Sequence, residues 1–145
     1  MRGLRLVAVS TLIFCLAVIA TAHAFPLPQD SDVIRSAVSY MISNQNPDGG
    51  FGLNGQSDLS TTARVIVALS SAGLDPVKLR VGGRGPLEYL KAVSKQAYTG
   101  NLSGNRLADT VNMILALSHM NLNPGNFTGL DFVGALLEQQ NKTTG

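Results

Sequence analysis

The chain of 145 residues has no tryptophan and a single cysteine, and only 14% of it is charged and 6% aromatic. Each shortage closes off a class. Cys15 lies within the first 24 residues, so a chain trimmed of that stretch has no disulfide, no thiol nucleophile and no thiolate ligand for zinc. The formal charge of +2 is carried by Arg2 and Arg5, because from Phe25 onward nine basic residues meet nine acidic ones. A neutral chain lacks the basic stripe that nucleic acid requires. Sustained strand alternation is missing as well. Fifteen glycines follow no triplet period, which excludes collagen. The 45% hydrophobic content is too high for a disordered chain. The size fits one domain at most, or part of a larger one, and without disulfides its core must hold it.

The opening segment reads as an address. Arg2 and Arg5 form a positive start, Leu6 to Ala20 is an almost unbroken apolar run, and Ala22-His23-Ala24 follows. That is the small–x–small pattern of a secretory signal peptide, cut after residue 24. Phe14 before Cys15 is too large for a lipid-attachment box. The expected location is therefore secreted or cell-surface, with membrane contact only through this segment during export. Residues 25–30 follow as a linker.

Self-comparison organises the remainder. Residues 58–76 (DLSTTARVIVALSSAGLDP) and 106–124 (RLADTVNMILALSHMNLNP) align without a gap, with eight identities in nineteen positions, among them Thr62/Thr110, Leu69/Leu117, Leu74/Leu122 and Pro76/Pro124. An amphipathic segment precedes each copy. In residues 33–45, Ile34, Ala37, Val38, Met41 and Ile42 recur at helical spacing. Residues 87–96 and 130–140 repeat the plan, Leu-Glu-Tyr-Leu being answered by Leu-Asp-Phe-Val. The units are thus 31–76, a connector over 77–84, 85–124, and 125–145 as the first half of a third, which reads as the N-terminal piece of a longer protein.

End signals agree with helices. Ser31 is the expected N-cap of the first helix, and Ser60 or Asp58 that of the second. Gly73 and Asn121 suit a left-handed C′ position, with Leu74 and Leu122 as the hydrophobic C″ residues. The second helix of each pair is apolar nearly all round and should be sheltered, with the amphipathic helices outside. The fold class expected is all-α, in tandem helical hairpins. Polar groups of the inner helices gather at their N-terminal ends: Asp58, Thr61, Thr62, Arg106, Asp109 and Thr110.

Gln45-Asn46-Pro47-Asp48-Gly49-Gly50-Phe51-Gly52 is the sharpest short motif. Its glycines permit positive φ and close backbone approach, Asp48 can accept turn N–H groups, Phe51 can fold back onto the helices, and Gln45 can reach carbonyls at its helix end. The reading is structural. A calcium loop opening at Asn44 fails, because its twelfth position is Gly55 where a bidentate acid is needed. His119, near a helix C-terminus, reads as a surface or satisfied histidine. The basic stretch 77–85 reads as a solvated connector. Glycosylation triplets start at Asn101, Asn126 and Asn141.

The Gln-x-Pro-Asp-Gly-Gly-Phe-Gly loop, with Leu-x-x-Thr opening the next helix, resembles the α/α-toroid repeat of protein prenyltransferase β-subunits, squalene and oxidosqualene cyclases, and secreted cobalamin carriers. The likeness covers residues 31–145. It implies an incomplete toroid of about two and a half helix pairs whose inner-helix N-termini line a central cavity, which makes Asp58, Thr61, Arg106 and Asp109 the cavity-lining candidates. Gln45, Asp48, Gly49, Gly50, Phe51 and Gly52 are then the structural repeat motif. The family's zinc set of Asp, Cys and His and its acid run Asp-x-Asp-Asp are not met, so no metal or cofactor is expected. What the resemblance implies is a non-catalytic ligand-binding or scaffold module, with a cobalamin- or isoprenoid-like small molecule or a cell-surface protein as partner. Its alternative is a terpene cyclase or prenyltransferase whose catalytic residues lie beyond residue 145.

Overall fold

The computed structural model describes residues 30–140. The expected signal segment, linker residues 25–29 and the glycosylation triplet at Asn141 lie outside the described residues.

Five helices and no strand occupy the described residues: α1 (Asp32–Ser43), α2 (Leu59–Ser71), α3 (Pro86–Thr99), α4 (Arg106–His119) and α5 (Phe132–Glu138). The chain is all-α there, and none of these helices is long and apolar enough to cross a membrane.

Local chemistry accounts for the ends. The Ser31, Asp58, Asn105 and Asp131 side chains accept from the backbone N–H groups of Ile34, Thr61, Ala108 and Gly134, which closes one orphan donor per helix start. α3 begins differently, with Pro86 in its first turn and the Glu88 carboxylate reaching back to the Gly85 N–H at 2.9 Å. At the far end of α2, Gly73 turns left-handed at φ +83°, and Leu74 N–H bonds to Leu69 C=O at 3.0 Å. α4 repeats this step for step, with Asn121 at φ +54° and Leu122 N–H on Leu117 C=O at 2.9 Å. Both are Schellman closures.

The connectors echo each other too. Gly82-Gly83 and Thr128-Gly129 carry consecutive positive φ values between the bridged pairs Val81/Arg84 and Phe127/Leu130. Two such residues in a row are the signature of a type I′ turn, and each turn leads into the next outer helix.

α2 and α4 pack side by side, α3 lies against both, and α5 covers part of α4. Leu59, Ala63 and Ile66 of α2, Tyr89, Leu90 and Ala97 of α3, Met113, Ala116 and Leu117 of α4 and Phe132 of α5 form one continuous core. Two expectations need correction. α1 buries no residue: Ile34, Val38, Met41 and Ile42 are half-covered, and Ala37 is exposed despite its place in the apolar stripe. No other helix packs substantially on α1, and a stripe is sheltered only where a neighbour exists. The inner helices are also not dry all round. Arg64 and Ala68 of α2 face solvent, and Leu107, Val111 and Leu115 of α4 remain 49%, 44% and 37% exposed. The same absence of a flanking helix explains this.

Candidate ligand cleft

The glycine motif is a knot that joins α1 to α2 and braces the start of α3. Asp48 accepts from Gly50 N–H at 3.0 Å and from the Ser57 hydroxyl at 2.7 Å. The Thr62 hydroxyl accepts from Phe51 N–H at 2.9 Å and donates to Phe51 C=O at 3.2 Å. That double clasp holds Phe51 3% exposed. Gln45 does not serve its helix end. Its amide donates to Gly49 C=O inside the loop at 2.7 Å, and Asn44 takes the Tyr40 carbonyl instead, at 2.8 Å.

The glycines are there because other chain passes where side chains would go. A β-carbon on Gly49, which also lies at φ +92°, would stand 2.3 Å from Gly85 C=O. One on Gly50 would meet the Tyr89 ring at 2.8 Å, and one on Gly52 would meet Gln56 C=O at 2.0 Å. Gly49 and Gly50 thus seat the loop against the first turn of α3 and press on Tyr89.

The result is a cleft of about 410 Å³ beside the N-terminal ends of α2 and α4. From the first unit it is lined by Ser57, Asp58, Leu59 and Ser60, and from α3 by Tyr89. The second unit adds Leu102, Ser103, Asn105, Ala108, Asp109 and Asn112. Two leucines and an alanine supply apolar wall; hydroxyls, amides and carboxylates supply the rest.

Of the four cavity candidates, Asp58 and Asp109 line this cleft, while Thr61 and Arg106 do not. Thr61 is half-buried, and its N–H serves the Asp58 cap. Arg106 is engaged elsewhere: Nε donates to Tyr98 C=O at 3.1 Å, Nη2 pairs with Glu138 at 3.2 Å, and the guanidinium stands 5.7 Å over the Tyr98 ring. Tyr98 in turn meets Phe132 edge to face, so Arg106 straps α3, α4 and α5 together. Asp109 is 2% exposed and accepts Ser103 N–H at 3.1 Å. His119, half-buried, lines a shallow groove with Val111, Ile114, Leu115 and Leu136 on the far side of α4.

Sequence reasoning missed Tyr89. It is 5% exposed, yet no described residue hydrogen-bonds to its hydroxyl. The phenol is pushed up to about 12 from 10.0, first by burial and then by the negative charges of Asp48, Asp58 and Asp109. Among the described residues, none of these three carboxylates has a basic partner within ion-pair distance, and no group of three metal-ligating side chains is assembled. A phenolic residue among the inward positions Pro86, Leu90 and Ala97 of α3 was the available signal, because buried tyrosines normally find a partner for the hydroxyl.

No family model, curated protein or solved structure matches the chain.

Proposed function

We propose that this protein is an exported helical-hairpin repeat module of the α/α-toroid kind, which binds a small molecule without transforming it. The observation that carries the reading is the Tyr89 hydroxyl. It borders a cleft, belongs to a side chain 5% exposed, and has no hydrogen-bond partner among the described residues. Water meets this hydroxyl from the cleft, and a ligand's donor or acceptor would take that water's place. The volume of about 410 Å³ falls in the range of small-molecule sites.

Repeated Schellman closures, repeated type I′ turns and two adjacent inner helices support the repeat assignment. The cleft's charge argues for binding over prenyl transfer, because Asp58 and Asp109 in its wall would repel a substrate diphosphate. The test is a thermal-shift screen of small polar molecules run in parallel on the wild type and on Tyr89→Phe. At least one compound should raise the melting temperature of the wild type and leave the variant unmoved. Equal shifts in both proteins for every hit would place the binding elsewhere.

A further inference from the structure

The negative charges of Asp48, Asp58 and Asp109 bear on Tyr89, and the described residues bring no cation within ion-pair distance of these carboxylates. Asp58 and Asp109 lie in the cleft wall, and Asp48, behind it, accepts from Gly50 N–H and from the hydroxyl of the wall residue Ser57. The arginines and lysines that pair with acids are all engaged with others: Arg35 with Asp32, Lys78 with Asp75, Arg80 with Glu88 and Arg106 with Glu138. A carboxylate 2% exposed, as Asp109 is, gains from an opposite charge far more than a solvated one does. The phenol of Tyr89 adds an acceptor oxygen at the same wall, left unused by the protein.

We infer that the ligand of this cleft is an organic ammonium ion, an amine carrying its charge at neutral pH, held by Asp58 and Asp109 with the Tyr89 hydroxyl accepting one of its N–H groups. This rests on the reading of the cleft as a ligand site and names the chemistry that site takes. The walls of Leu59, Leu102 and Ala108 suit the methylene stem of such an amine. An isolated metal cation fits less well, since the carboxylates come from the cap of α2, from α4 and from the glycine loop and form no ligand cluster among the described residues.

Titration calorimetry of the purified protein with spermidine, triethylene glycol and citrate tests this, with amide chemical shifts in a parallel NMR titration locating the site. Spermidine should bind and perturb the residues around Tyr89 and Asp109, while the neutral and anionic probes should not. Asp58→Asn keeps a competent helix cap and removes one charge; it and Asp109→Asn should each weaken spermidine about tenfold, the order expected for one charged hydrogen bond. Asp75→Asn, remote from the cleft, should change affinity less than about twofold, as for an exposed charge. If triethylene glycol or citrate binds at the cleft and spermidine does not, the ammonium assignment is overturned while the ligand site stands. If none of the three probes shifts a cleft resonance, both readings fall. Spermidine binding that is as sensitive to Asp75→Asn as to Asp58→Asn would mark nonspecific attraction and overturn the inference.

Discussion

Two threonines at the same repeat position have different fates. Thr62 clasps both polar groups of Phe51, whereas the Thr110 hydroxyl is fully buried without a partner among the described residues. Loop length is the reason: fifteen residues, 44–58, join α1 to α2, but only six, 100–105, join α3 to α4. The second loop has no segment to lay across its threonine. Thr62→Val should therefore destabilise the protein by about 1–3 kcal/mol, since it leaves the buried Phe51 N–H unpaired. Thr110→Val should be neutral or stabilising by up to about 1 kcal/mol, since it removes an orphan. Denaturant midpoints of the two variants check this; equal losses would contradict it. Tyr89 makes a second residue-scale prediction. The fold keeps its phenol protonated to about 12 against 10.0, so above pH 10 the unfolded chain has released a proton that the native state retains. Stability from this group is complete below pH 10 and is lost as pH rises through 12. The loss should be about 1–2 kcal/mol, reduced from the full linkage value because water reaches the hydroxyl through the cleft. Tyr89→Phe should abolish that part of the alkaline decline, measured by unfolding at stepped pH; an unchanged decline would assign it to other groups. Asp58 and Asp109 were legible as polar residues at helix starts. Tyr89 was not, because what buries it comes from Gly50, far upstream, and its electrostatic surroundings reach downstream to Asp109. Helical spacing on one segment carries no record of either. Arg106 shows the converse: its position in the repeat pointed at the cavity, but the Tyr98 carbonyl, the Tyr98 ring and Glu138 lie on its other side and take it.

At the scale of elements the sequence was most readable where a local rule sufficed. Ser31, Asp58, Gly73 and Asn121 act on neighbours a few residues away, and each stands where its chemistry required. The type I′ turns at Gly82-Gly83 and Thr128-Gly129 went unread, since the second begins on a threonine at φ +53°, a residue type that seldom adopts it. Amphipathic spacing fared worse for α1. Its apolar stripe at Ile34, Val38, Met41 and Ile42 is real in sequence but only half-covered in space. Periodicity gives the direction in which a helix seeks cover, and it leaves open whether a neighbour supplies it. α2 differs because α3 and α4 both lie on it.

For the whole molecule, the arrangement that matters is the pairing of α2 with α4, which brings two helix starts to one cleft. The repeat at an offset of 48 residues made this pairing legible as two copies of one hairpin. It did not disclose that the copies meet different surroundings. Leu59 and Ala63 are buried at 4% and 0%, while their counterparts Leu107 and Val111 are 49% and 44% exposed. Equivalent residues thus differ in burial according to whether another helix follows on that side. Native-state hydrogen exchange reads the α2–α4 pairing most directly, because amides inside a cooperative core open only with global unfolding. The slowest amides should be those of Ile66 to Leu69 and Met113 to Leu117, with α1 exchanging faster by about two orders of magnitude or more, the signature of local opening. Amides of α2 exchanging as fast as those of α1, or α4 protected without α2, would contradict the paired inner helices and with them the cleft.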